Sequence, residues 1–318
     1  MKIGVIGAGW WGKNLVKTLE LSDAVKCVAV FDGRREAYEA FKNNAKTVRA
    51  ESLESMLSDP ELTGVCLATP PPTHFELSQR ILSAGKHLLV EKPPAQSVSQ
   101  VRELGAIAAE KNLVYMLDVL YLFLEPVKKL KQILDSGDLR NLRHVQMFRI
   151  GDELRRAGSG LERIRQSMFA KGVDVIDDLF FHDAAILLYL FGDFEYRSVE
   201  RLCTYHPTLC DTAIIKLSAR GVPIDLTLSW TLAGRRRGMV LYDEKAIVEY
   251  DGLSNDNQIK RYDVEENRSE TISFPPVAPL GSMVNFYLRC IAGKEANRFG
   301  AEFMEKLTER WRAVSREG

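Results

Sequence analysis

MKIGVIGAGWWGKNLVKTLELSDAVKCVAVFD, Met1 to Asp32, decides the reading of the first half of the chain. Lys2 to Ile6 is a short apolar run of the kind buried in a parallel sheet, and Gly7, Gly9 and Gly12 follow it as G-x-G-x-x-G. Asn14 to Leu21 then has helical spacing, and Val25 to Phe31 is a second apolar strand ending at Asp32. Each part has a physical job. Gly7 permits a tight turn, Gly9 lets the backbone approach a pyrophosphate, and Gly12 lets helix and strand pack closely. The free N–H groups at the helix start face the phosphates. Asp32, twenty residues after Gly12, can accept hydrogen bonds from an adenosine ribose. Glycines alone punctuate turns everywhere; in register with strand, helix, second strand and acid they imply dinucleotide binding.

The same rhythm continues. Helical spacing at 35–43, 53–57, 75–84 and 99–111 alternates with apolar strands at 65–68, 87–90 and 114–117, which predicts a doubly wound parallel Rossmann sheet. Ligands lie at the carboxyl ends of such strands. The residues there are Asp32, the loop Ala68-Thr69-Pro70-Pro71-Pro72-Thr73-His74, Glu91-Lys92-Pro93, and Asp118. From Leu142 onward the pattern turns to antiparallel strands with short turn signals such as Arg220-Gly221. Helices at 125–136, 173–190, 283–292 and 301–314 accompany them, so residues 1–118 read as a Rossmann domain and 119–318 as an α+β domain with a largely antiparallel, open-faced sheet.

Composition excludes several functions. Balanced charge, 43 basic against 43 acidic residues, gives no footprint for nucleic acid or a membrane surface. The five cysteines show neither C-x-x-C pairing nor metal-ligand spacing, so no metal is expected. Cys27 and Cys66 fall in apolar strand patterns as core residues, a usage that suits a reducing cytoplasm. No apolar stretch approaches bilayer length, and the opening residues read as strand rather than leader.

The strand-end set A-T-P-x-x-T-H at 68–74 with G-K-H-L-L-V-E-K-P at 85–93 resembles the glucose–fructose oxidoreductase/inositol dehydrogenase (Gfo/Idh/MocA) family. In the second half, Asp178-x-x-x-His182 within Gly172–Asp183 is similar to that family's D-x-x-x-H helix. Within the family, W-W-G-K-N and the S-W strand at Ser229-Trp230 look most like the sugar-nucleotide 3-dehydrogenase branch. The chain departs from that branch at Asp118-Val119, where Asp-His is usual, and at Pro94, Phe180 and Phe181.

The resemblance implies an NAD(P)-dependent oxidoreductase that moves a hydride between nicotinamide and a secondary alcohol or ketone of a sugar or sugar derivative. An ammonium at Lys92 can hydrogen-bond the reacting oxygen and favour its alkoxide charge. The resemblance also suggests a cis bond before Pro93. Asp178 and His182, four apart on one helix face, form a pair in which the carboxylate orients an imidazole that takes the hydroxyl proton. Asp174 shares that face and is a candidate substrate contact, as are Asp118 and the arginines of 153–171 (Arg155, Arg156, Arg163, Arg165) should the substrate carry phosphate. Trp10, Trp11, Thr69, Pro70, His74 and Glu91 are expected beside the cofactor, and Asp183 as a structural contact. Asp32 favours NAD by repelling a 2′-phosphate, whereas Arg34 or Arg35 would accommodate NADP. The open sheet face, with Thr227, Ser229 and Trp230, is expected to join copies into a dimer or tetramer. Two rival readings are a reductase of an imine or other C=N or C=C bond on the same architecture, and a cofactor-binding regulatory protein without turnover.

Overall fold

The structure, a computed structural model, describes residues 1–151, 162, 168–253 and 258–315. The chain forms two compact units, Met1–Phe123 with Ala278–Glu309, and Leu124–Val277 with the segment from Arg310 on.

In the first unit β1 (Lys2–Ile6), β2 (Cys27–Phe31), β3 (Thr47–Arg49), β4 (Leu62–Leu67), β5 (His87–Val90) and β6 (Tyr115–Leu117) make a parallel sheet in the order β3-β2-β1-β4-β5-β6. That is the order of two mononucleotide-binding halves joined at β1/β4. The strands are apolar on both faces because helices cover both, and Ile3, Val5, Val65, Leu88 and Val90 are fully buried. The short β3 has no apolar run of its own and escapes the sequence reading. The first helix, α1, runs Trp10–Glu20, starting earlier than its apolar spacing suggests. Two further helices start on serine caps: Ser52 exchanges hydrogen bonds with Ser55 ahead of Leu53–Leu57, and Ser97 accepts from Gln100 ahead of Val98–Glu110.

Residues 278–309 pack on this sheet, not with residues 119–277 as the strand pattern suggested. Tyr287 is fully buried and its hydroxyl donates to the Val65 carbonyl at 3.3 Å. Phe123, Phe286 and Phe299 meet with ring centroids 5.4–5.7 Å apart, and Asn297 donates to the Tyr115 carbonyl at 2.7 Å. An amphipathic helix shows which of its faces is buried but not which sheet buries it, so this crossing left no local signal.

The second unit carries an eight-stranded sheet: β7 (Leu142–Ile150), β8 (Glu195–Leu202), β9 (Thr212–Ala219), β10 (Val222–Ser229), β11 (Arg236–Asp243), β12 (Ala246–Asp251), β13 (Gln258–Asp263) and β14 (Arg268–Ser273), in the order β14-β13-β12-β11-β7-β10-β9-β8. Only β7 and β10 run parallel. Burial alternates along β7, with Val145, Met147 and Arg149 inward and His144, Gln146 and Phe148 half-exposed, the signature of a sheet covered on one face. The exposed face differs from the expectation at one end. Thr227 is half-exposed, but Ser229 and Trp230 are buried. Ser229 Oγ accepts from the N–H groups of Thr231 and Leu232, which folds the following turn over it.

Candidate active site

In the first unit the glycines are held by contact. Gly7 has φ +94°, and a Cβ there would sit 2.6 Å from the Ala68 carbonyl oxygen. A Cβ on Gly12 would come within 1.8 Å of the Gly7 carbonyl oxygen, so no side chain fits where α1 crosses the loop. Space in front of Gly9 is open, and the helix that begins there has neither a side-chain cap nor an acid in its first turn. The loop that leads into it borders a cleft of about 470 Å³ lined by Gly7, Gly9, Asp32, Arg34, Thr69 and Pro70. A backbone cradle closed to any side chain, with open donors beyond it, fits a pyrophosphate. These residues would hold the dinucleotide, which supplies the hydride acceptor when bound.

Asp32 follows β2 directly at the wall of this cleft. One carboxylate oxygen accepts from the Ala8 N–H at 2.8 Å; the guanidinium of Arg34 spans both, at 3.0 and 3.1 Å, and the Arg34 N–H adds a bond of 2.9 Å. Burial pushes this carboxyl up, yet the Arg34 and backbone hydrogen bonds outweigh it and hold it below the usual range. Arg34 is thus already seated on the acid that would bind a ribose diol.

Two strands away the loop after β4 is tied to the loop after β5. His74 is fully buried, one ring nitrogen 2.7 Å from the Pro93 carbonyl and the other 2.8 Å from that of Thr69. Burial lowers its pKa against the pull of those carbonyls, which fits a supporting role rather than proton transfer. Lys92-Pro93 is cis, as the resemblance implied. Glu91 continues the sheet, its N–H donating to the Leu67 carbonyl at 3.0 Å. At β6, Asp118 is 6% exposed and accepts from the Trp11 indole N–H at 2.7 Å. Burial pushes its carboxyl up to about 7, opposed by Trp11, the Leu120 N–H and the charge of Lys92. Trp10, 77% exposed, stacks on Trp11 at 5.6 Å.

In the second unit the D-x-x-x-H segment is not one regular helix. Ile176–Phe180 forms a π turn that runs into the α-helix Phe181–Phe191. Such turns widen the helix and cluster at functional sites. The aspartates around it divide by partner. Asp174 is buried with both oxygens engaged: one accepts from the Ile176 and Asp177 N–H groups at 2.9 and 3.0 Å, the other meets Cys210 Sγ at 3.1 Å and Arg201 at 3.3 Å. It caps the π turn, and this removes it from the substrate contacts expected of it. Asp177 is raised to about 6 by burial and by the neighbouring Asp174 carboxylate. Asp178 accepts from the Trp230 indole N–H at 3.3 Å. His182 is half-buried between Phe181 and Asp183, both buried. Asp183 forms a bidentate ion pair with Arg149 of β7 at 2.6 and 2.8 Å, with side chains 5% and 4% exposed. This confirms a structural role for Asp183 and adds Arg149, Arg201 and Trp230, whose partners lie far away in sequence.

The remaining histidines are held by backbone or strand neighbours. His87 accepts from the Val114 N–H, His144 pairs with Asp225, and His206 accepts from the Thr208 and Leu209 N–H groups with its ring 5.0 Å from Phe169. Cys66 is buried, while Cys27 is only half-buried. Arg155, Arg156, Arg163 and Arg165 lie outside the described residues. Among the described residues no helix is long and apolar enough to cross a membrane.

A Rossmann sheet of this strand order, with a glycine cradle and an acid at the end of β2, defines a dinucleotide-binding protein. Residues 1–119 match the model of the oxidoreductase family with an NAD-binding Rossmann fold, GFO_IDH_MocA. The chain is 25% identical over 262 residues to an uncharacterized oxidoreductase of Synechocystis, covering 77% of this chain and 70% of that protein. It is 28% identical over 200 residues to a UDP-N-acetylglucosamine 3-dehydrogenase of Acidithiobacillus ferrooxidans, covering 60% of this chain and 55% of that enzyme. The solved structure of the dehydrogenase GnnA from the same organism shares the fold, with a TM-score of 0.82 at 22% identity, over 99% of this chain and 96% of that one.

Proposed function

We propose that this oxidoreductase transfers a hydride between NAD(P) and a secondary alcohol or ketone of a sugar derivative, with a nucleotide sugar as the favoured substrate. The observation that carries this reading is the placement of Lys92 directly after β5, in the nicotinamide half of a dinucleotide sheet, in a turn braced by His74. The similarity to a nucleotide-sugar 3-dehydrogenase supports the substrate class.

In the oxidative direction the substrate's C–H bond breaks and its electron pair leaves with the hydrogen. His182 takes the hydroxyl proton, and Lys92 donates a hydrogen bond to the oxygen as it becomes a carbonyl. Asp178, fixed by the Trp230 indole, orients His182. Asp183 and Arg149 hold the helix that carries His182. The half-exposed sheet face, where Tyr242 stacks on His144 and Arg236 lies 3.6 Å over Phe148, would pair with a second copy of the chain.

Two assays test this. Free sugars and nucleotide sugars are offered with NAD or NADP, and reduced cofactor is followed by absorbance. Replacing Arg163 and Arg165 together with Gln should raise KM for a nucleotide sugar about tenfold, one charge-assisted hydrogen bond's worth, and leave an unphosphorylated sugar unaffected. A protein that turns over only free sugars, and whose double variant does so normally, belongs outside the nucleotide-sugar reading.

A further inference from the structure

We propose that Asp118 is the residue through which the cofactor site distinguishes oxidised from reduced nicotinamide: binding of NAD⁺ expels a proton from the Asp118 carboxyl into solvent, and binding of NADH does not.

Three features place the group. Asp118 closes β6, and its N–H donates to the Val90 carbonyl of β5 at 2.8 Å, so it stands at the carboxyl end of the second mononucleotide half, the half that receives nicotinamide. The carboxylate is tied to Trp11 in the first turn of α1, the turn that receives the pyrophosphate. It is also almost completely buried, where a charge is costly without a partner. The charged and titratable groups that act with it are Lys92, whose charge favours the carboxylate, and the buried Cys66 thiol of β4, which the carboxylate pushes up. Burial wins, and the carboxyl titrates at about 7, so near neutrality a large share of Asp118 holds a proton.

The nicotinamide ring of NAD⁺ carries a positive charge that the ring of NADH lacks. A cation brought near a buried carboxyl stabilises its ionised form, and the proton leaves to bulk water. Phosphates, riboses and adenine are common to both cofactors, so their contributions cancel when the two are compared. The inference rests on cofactor binding alone and stands whether or not the substrate is a sugar.

The experiment is calorimetric titration of the purified protein with NAD⁺ and with NADH, from about pH 6 to pH 8, in buffers of different ionisation heat. The NAD⁺ affinity should rise about fivefold over that range, the effect of lowering one pKa from about 7 by about a unit, and the proton released should make the observed heat depend on the buffer. The NADH affinity should stay nearly level. Asp118→Asn keeps an acceptor for Trp11 and removes the titration, so it should flatten the pH dependence of NAD⁺ binding. Trp11→Phe removes a donor that favours the carboxylate, so the midpoint of the NAD⁺ curve should move to higher pH. Equal pH dependence for the two cofactors overturns the proposal, as does a wild-type slope in Asp118→Asn. Should that variant fail to fold, an unmoved midpoint in Trp11→Phe overturns it instead.

Discussion

The cofactor cradle of the first unit and the helix of the second that we propose to be catalytic are built on opposite principles. In the cradle the working atoms are backbone N–H groups, and the side chains matter mainly where they are missing: Gly7 and Gly12 leave no room for a Cβ. The partners are mostly near neighbours, as in Asp32 with Arg34. In the helix the working atoms are side chains, each aimed by another from far along the chain: Asp183 by Arg149, Asp174 by Arg201 and Cys210, Asp178 by Trp230. Phosphate binding needs donors in a fixed local curve, which a short sequence can specify. Proton transfer needs a side chain held in one rotamer within a fraction of an ångström, which demands support from several directions.

That contrast can be broken by mutation. The largest effects should come from Lys92→Ala and His182→Asn, each lowering kcat by about two to four orders of magnitude while the NADH Kd barely moves. Near-native turnover at saturating substrate in either variant would strip that residue of its role.

Next in size is the buried ion pair. Asp183→Asn strands the Arg149 guanidinium in the interior and should destabilise the protein by about 3–5 kcal/mol in urea unfolding. Replacing both partners, Arg149→Met with Asp183→Leu, should recover most of that loss, because two buried charges then vanish together. Single and double variants of equal stability would show that the pair is not the desolvated contact its burial describes.

A smaller change is expected in the cradle. NADH should bind more tightly than NADPH, and Asp32→Ser should shift the preference about tenfold toward NADPH, by removing the charge that repels a 2′-phosphate and releasing Arg34 to meet it. Fluorescence titration reads both affinities, and a strong native preference for NADPH would contradict the reading of Asp32.

The smallest effect concerns Asp177. Its folded carboxyl, raised to about 6, binds a proton more tightly than the unfolded chain does, so its contribution favours folding at low pH and is lost as pH rises through 6. Asp177→Asn should therefore raise Tm slightly at pH 8 and leave it unchanged near pH 4. A Tm gain that persists at low pH would point to packing rather than charge.

The cofactor half of the molecule was legible because its signals are local. The Leu53–Leu57 helix and the His87–Val90 strand fall where the spacing puts them, and the acid follows the glycines at the distance a βαβ unit requires. In the second unit Thr212–Ala219 and Glu125–Ser136 were equally readable. Asp174 was not. By spacing it shares a face with Asp178, and only the folded chain shows that its oxygens are spent on the π turn, Arg201 and Cys210. Trp230 and Ser229 misled for a similar reason. Strand alternation puts Ser229 on the exposed face with Thr227, but the turn after it folds back over its hydroxyl, while Trp230 packs against Phe169 and donates to Asp178.

The sequence by itself thus determined the Rossmann sheet, the dinucleotide cradle and the presence of Lys92, Asp178 and His182, since glycine placement and apolar periodicity act over a few residues. Tertiary structure alone decided that residues 278–309 complete the first unit, that Asp118 is buried against Trp11, and that a fully desolvated Arg149–Asp183 pair holds the helix of His182. Each of these depends on burial or on a partner tens to hundreds of residues away, and the energy of a charge depends on what surrounds it rather than on its place in the chain.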